Sequence, residues 1–192
     1  MKFNYFTQQS LFIIRFRYLK KWLNYFNTQW LLLGGMKIGK GTYLPKMMVT
    51  WPHQVSLGTN CILEHGVYFK FDGIWNAGPS ILIGDEVFIG AYCEFNISGG
   101  IEIGKKAMIA SGCKFIDHDH GTAIETSMNG QKPIVKPIII EEEVWVGVNC
   151  VVLKGVTIGK GAVVGAGSLV LKSIGENEIW GGVPAVFIKK RI

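Results

Sequence analysis

From Gly34 onward an apolar position recurs every six residues. Ile140, Val146, Val152, Ile158, Val164 and Val170 hold the step strictly, and glycine follows at once in Val146-Gly147, Ile158-Gly159 and Val164-Gly165. The step also runs through Ile83-Gly84, Ile89-Gly90 and Phe95. Shifted by two, it continues through Ile97, Ile103-Gly104, Ile109-Ala110 and Phe115; Ile38-Gly39 and Leu57-Gly58 carry the pair less regularly. A six-residue unit with one anchor is too short for a hairpin or a βαβ crossover. It predicts a coil of short parallel strands, each flat side sending one anchor into a shared interior. Glycine after the anchor lets the backbone turn the corner without a Cβ clash.

Composition narrows the alternatives. The 192 residues suit one domain with a sizeable core. Hydrophobic residues at 48% against 18% charged argue against disorder. Twenty-five glycines without a collagen period argue against a helical bundle. The uncharged stretch Trp22 to Met36 is 15 residues, too short to span a bilayer. The expected organisation is all-β over residues 34–192, preceded by a distinct segment, 1–33.

The net charge of +6 belongs mainly to that segment. It holds Lys2, Arg15, Arg17, Lys20 and Lys21 and no acid, which leaves the body with fifteen basic against fourteen acidic groups. Nothing here supports a nucleic-acid partner. Phe12, Phe16, Leu19, Leu23, Phe26 and Trp30 recur at helical spacing, with Arg17, Lys20, Lys21 and Asn24 largely opposite and Ser10 as a candidate N-cap. This predicts an amphipathic basic helix, broken once, and no signal peptide. Two roles follow from such a helix: packing on the body or between subunits, which is the expectation here, or weak attachment to an anionic membrane surface.

Cys61, Cys93, Cys113 and Cys150 each precede an anchor by two residues, which in a strand sets them on the inward face. No Cys-x-x-Cys spacing suggests a metal. They read as small buried hydrophobes in a reducing compartment.

These features, with several motifs in order, resemble the hexapeptide-repeat acyltransferases. The motifs are Phe115-Ile116-Asp117-His118-Asp119-His120, a loop, Lys136-Pro137-Ile138-Ile139-Ile140, Val144-Trp145-Val146-Gly147, Gly165-Ala166-Gly167-Ser168 and Gly182-Val183-Pro184-Ala185. The C-terminal half is most similar to maltose, galactoside and capsular-polysaccharide O-acetyltransferases. The resemblance implies a left-handed parallel β-helix, a homotrimer with sites between subunits, and acetyl-CoA as acyl donor. That handedness opposes the ordinary crossover rule and comes from the resemblance alone.

Moving an acetyl group from a thioester to a sugar hydroxyl needs a base working near neutrality, for which histidine is suited. His53 and His65 lie in the irregular early stretch. His118 and His120 sit where the hexads stop and a loop from Gly121 to Val135 begins. By the resemblance His120 falls on the family's catalytic histidine, with His118 as the second candidate, and Asp117, Asp119 or Glu125 could orient the imidazole. The resemblance also implies that acetyl-CoA lies along Gly147, Val148, Gly165 and Ala166. The Val148 amide faces the thioester carbonyl, Trp145 walls the pantetheine arm or fills the core, and Lys172 and Lys189 sit near the phosphates.

Two departures bear on the substrate. Val186 stands where the family often carries a base, so that Lys189, Lys190 and Arg191 become the candidate phosphate contacts. Tyr92 stands near the relatives' acceptor-contacting asparagine. With Glu125 and Met128 of the loop it forms the expected acceptor side, and Trp51, Tyr68, Phe69, Phe71 and Trp75 offer further aromatic faces. The sequence thus predicts a sugar O-acetyltransferase, acting on a surface polysaccharide or its precursor inside the cell or at the inner membrane face. The alternatives are amino-sugar N-acetylation, a silent β-helix scaffold and a zinc hydratase on the same fold; no metal is expected.

Overall fold

The computed structural model describes residues 4–72 and 76–192, without the side chains of residues 16–18, 20 and 21. Lys2, Trp75 and the side chains of Phe16, Arg17, Lys20 and Lys21 therefore lie outside the described residues.

Short strands stack into three parallel sheets, the flat faces of a prism. Ile140, Val146 and Val152 fall on the first, second and third face in turn, and Ile158, Val164 and Val170 repeat the circuit one coil higher. All six anchors are buried, so the six-residue period is one face and its corner. On the third face Phe69, Phe95 and Phe115 form a continuous column, with ring centroids 4.9 Å apart at each step. The four cysteines are free and buried beside these anchors, as their spacing requires.

Glycine follows every first-face anchor except Ile140, and it answers to the neighbouring coil. A Cβ on Gly39 would lie 2.3 Å from the Gly58 carbonyl carbon, and one on Gly58 would lie 2.5 Å from that of Gly84. The turn itself is made two residues later, in left-handed backbone at Asn60, Glu86, Lys106, Glu143, Gly161 and Asn177. The two-residue slip in the hexads has a structural cause as well. The strand Glu94–Ile97 is followed by an enlarged corner, Ser98-Gly99-Gly100, before the next first-face strand, Ile101–Ile103.

The N-terminal segment forms α1 (Tyr5–Ile13), a π-helical turn (Ile14–Leu19) and α2 (Lys20–Leu33). Asn4 caps α1, accepting from the Thr7 amide at 2.9 Å; Ser10, the expected cap, lies inside the helix. Of the two packing arrangements expected for the aromatic stripe, on the body or between subunits, the one against the chain's own body is not found. Phe12, Leu19, Leu23, Phe26 and Trp30 are all at least half exposed. Contact with the first coil is made by polar groups instead, Asn24 to the Tyr43 hydroxyl and Asn27 to the Pro45 carbonyl, together with buried Leu31. No helix among the described residues is long and apolar enough to cross a membrane.

Candidate functional site

The enlarged third corner is built around one buried carboxylate. Asp117 has no exposed surface, and its oxygens accept from the consecutive amides of Ser98 (2.8 Å), Gly99 (2.7 Å) and Gly100 (2.8 Å). Successive N–H groups pointing into one concavity make an anion cradle. A Cβ at Gly99 would sit 2.6 Å from Val135 Cγ1 and 3.3 Å from Asp117 Oδ2, so a larger residue there would have to displace Val135. Asp117 Oδ1 also lies 3.0 Å from His118 Nδ1, with Ser98 Oγ at 3.2 Å from the same nitrogen.

His118 is consequently held on both sides. Its Nε2 lies 3.8 Å from Asp72 Oδ2, its side chain is 15% exposed, and Asp72 accepts from Lys70 Nζ at 2.7 Å. The antiparallel pairing of His118–Asp119 with Ile134–Val135 closes the root of the loop, and His120 lies just beyond that pairing. His120 is exposed and its ring takes no partner among the described residues. Of the carboxylates expected to orient a histidine, Asp117 serves His118 and Asp119 forms an ion pair with Lys154. Glu125 and Met128 stand exposed on the loop. The loop is braced by Gln131, which donates to the Ala123 and Thr126 carbonyls and accepts from the Ala123 amide.

The second corner differs in its backbone. Two residues after each anchor an amide points outward. That of Ala91 is taken by Glu64 Oε2 at 2.9 Å and Ser111 Oγ at 3.2 Å. Those of Ser111, Val148 and Ala166 have no partner among the described residues. On the inner side the cysteine thiols donate to the corner carbonyls: Cys93 to Ala110, Cys113 to Gly147 and Cys150 to Gly165, each at 3.1 Å. The hydrogen-bonding Cys113 sulfur, which favours the protonated thiol, and burial push Cys150 up, which suits an inert inner rail rather than a nucleophile. The groove stays narrow because Gly147 has no room for a Cβ, which would meet the Ala166 nitrogen at 2.6 Å. Trp145 is half exposed beside it, so its core reading is corrected; Val146 supplies the anchor.

By contrast, side chains seal the first corner. Asp85 accepts from the Thr59 amide and Glu141 from the Lys160 amide. Hydrogen bonds from Lys160 and Lys105 hold the partly exposed Glu142 carboxyl down at about 2. A cavity of about 550 Å³ lies along this side among Glu102, Glu141, Glu142, Glu176 and Lys160, a lining with more acid than base.

At the top of the second face Glu178–Gly182 turns back through Ala185–Lys190. A cleft of about 320 Å³ opens there, between Leu171, Lys172, Trp180, Pro184, Val186 and Phe187. Lys172 thus lines the cleft, while Lys189 and Lys190 are exposed on the outer strand and Arg191 is occupied by the Gly161 carbonyl. At the other end of the open corner Tyr92 adopts left-handed backbone (φ 58°) and packs edge-on to His65 at 5.0 Å between ring centroids. Among the other aromatic candidates, Phe69 and Phe71 are buried core and so cannot meet a sugar; Trp51 keeps 39% of its surface and Tyr68 is partly exposed. Sequence reasoning missed Asp72, Lys70 and the Ser98–Gly100 cradle, although the Gly-Gly doublet at the hexad slip was the available signal. No group of three or more metal-ligating side chains comes together among the described residues.

One chain does not bring the histidines and the open amides together. They flank the third face, and the seven residues from Ser111 to His118 span roughly 20 Å at strand rise.

Residues 80–113 and 137–172 match the family model described as hexapeptide repeat of succinyl-transferase. WbbJ of Escherichia coli, named as a lipopolysaccharide biosynthesis O-acetyl transferase, is 33% identical over 68% of this chain and 80% of its own length. WcaF of the same organism, named for colanic acid biosynthesis, is 33% identical over 84% of this chain and 73% of its own. Among solved structures, a point variant of AntD, an N-acyltransferase from Bacillus cereus in complex with dTDP-4-amino-4,6-dideoxyglucose and coenzyme A, superposes with a TM-score of 0.69. It is 26% identical over 86% of this chain and 89% of that one. The chain belongs to the hexapeptide-repeat acetyltransferases, and its prism is their left-handed parallel β-helix.

Proposed function

We propose that the protein is an acetyl-CoA-dependent O-acetyltransferase acting on a sugar hydroxyl of a surface polysaccharide or its precursor, inside the cell, as a homotrimer. The observation that carries this reading is the pairing of open amides on the second corner with an unpartnered imidazole, His120, on the third. Since the two lie on opposite edges of one face, a neighbouring chain is needed to close the gap, which supports three prisms sharing three sites.

Acetyl-CoA then runs along Gly147, Val148, Gly165 and Ala166, its nucleotide end toward Lys172 and Lys189 and its pantetheine arm beside Trp145. The Val148 N–H donates to the thioester carbonyl and strengthens as that oxygen becomes the oxyanion of the tetrahedral intermediate. His120 accepts the hydroxyl proton as oxygen attacks and returns it to the departing thiolate. Asp117 and His118 act one step back, fixing the strand that carries His120. Tyr92, Glu125 and Met128 border the acceptor. No covalent enzyme intermediate and no metal are required.

The AntD likeness favours a second reading, in which an amino sugar is the acceptor. Release of free CoA thiol from acetyl-CoA, followed over a panel of neutral and amino sugars, tests both. Thiol release with neutral sugars is expected. Release confined to amino sugars transfers the assignment to N-acetylation, and none with any acceptor leaves a scaffold.

A further inference from the structure

The helix α2 faces the wrong way for a helix that serves its own domain. Leu19, Trp22, Leu23, Phe26, Trp30 and Leu33 follow one another at steps of three, one, three, four and three, which at 100° per residue is a single stripe. Their exposures are 50, 61, 54, 52, 74 and 84%. The polar edge, Asn24 and Asn27, is the one bonded to the first coil. Trp22 and Phe26 pack edge-to-face at 4.6 Å, so that the outward surface is a preformed aromatic ridge rather than loose side chains.

We propose that this ridge lies in the interfacial layer of an anionic bilayer and holds the first-coil end of the prism against it. Three features choose that occupant. Residues 1–33 carry five basic groups and no acid, the composition of a helix attracted to negative headgroups. Tryptophan and tyrosine, both present here, are the side chains that settle at headgroup depth. A second copy offers no matching charge, since its helix repeats the same five bases and its body holds fifteen basic against fourteen acidic groups. The segment rests on the surface without crossing it. This inference stands apart from the acetyl-transfer reading and from the choice of sugar. If both hold, the acceptor meets the enzyme at the membrane plane.

The test is co-sedimentation of the full chain with phosphatidylcholine vesicles prepared with and without phosphatidylglycerol, alongside light scattering and a melting curve. Binding should require phosphatidylglycerol, shift the tryptophan emission to the blue and weaken with added salt. Trp22→Ser/Phe26→Ser/Trp30→Ser should weaken it at least tenfold while mass and melting midpoint stay unchanged. Lys20→Gln/Lys21→Gln, which keeps the ridge, should weaken binding and reduce its salt dependence. Failure of the full chain to bind anionic vesicles overturns the proposal, as does binding that survives the triple substitution. A triple variant of lower mass or lower melting midpoint also overturns it, because the ridge is then covered by protein.

Discussion

Asp117 Oδ1 lies 3.0 Å from His118 Nδ1 while the other oxygen of the same carboxylate is held by Gly99 and Gly100 amides. With Nδ1–H donating to that carboxylate, the ring is fixed in position by a group that is itself fixed by backbone. An arrangement of this kind resembles an oriented base, yet the ring's far nitrogen faces Asp72 within its own prism and only 15% of the side chain is open. The proposed reaction therefore assigns the two neighbouring histidines different work, His118 as a strut and His120 as the base.

Substitution separates them. His120→Ala should lower turnover by about 10²–10⁴, the usual span for loss of a general base, with acetyl-CoA affinity and melting midpoint unchanged. His118→Ala should lower the midpoint and reduce turnover less. Steady-state kinetics beside calorimetry read both, and a silent His118→Ala enzyme with an active His120→Ala one would reverse the assignment.

Asp117→Asn tests the cradle. It keeps the size but removes the charge and turns an N–H₂ group toward donors. Hydrogen bonds to a charged group are worth about 1.5–3 kcal/mol each, so we expect a loss of at least that order in denaturant unfolding. Proteolysis within residues 121–135 should accelerate.

The hexad anchors were legible in the sequence because each must be apolar and each recurs once per face; Ile140 through Val170 could be placed without coordinates. The third corner was not. Asp117 meets partners at 98–100, and that pairing depends on a slip in the repeat whose meaning appears only when the coils stack. Likewise, the periodicity of α2 announced an apolar stripe but not its direction. Direction was decided by Asn24 and Asn27, whose partners Tyr43 and Pro45 belong to another element.

Two glycines of the second corner should respond differently. A Cβ at Gly147 would meet backbone atoms at 2.6 and 2.8 Å, whereas one at Gly165 finds its nearest neighbour at 3.4 Å. Gly147→Ala should cost about 1–3 kcal/mol, as overpacking does. Gly165→Ala should fold normally and raise KM for acetyl-CoA, if the donor lies in that groove; an unchanged KM would remove it from the donor path.

Glu142 should confer acid tolerance. Its folded value of about 2, set by hydrogen bonds from Lys160 and Lys105, lies below its ordinary carboxylate value. The stabilisation is therefore complete above the unfolded value and is lost as pH falls through about 2. Glu142→Gln should flatten the melting midpoint over that acid window at low salt. Because both lysine partners are exposed, added salt should shrink the difference between variant and parent.

The final hairpin has a consequence for how many molecules the coil involves. Each rung of a parallel ladder offers the next one a row of free backbone groups, and a prism that simply stopped would invite another molecule to continue it. Here the second face ends in a strand that runs the opposite way, Ala185–Lys190 against Glu178–Gly182, with Lys189 and Lys190 on its rim. A following coil would find both direction and charge unsuitable. Chains lacking residues 183–192 should accordingly betray themselves first as filaments rather than as slow enzymes.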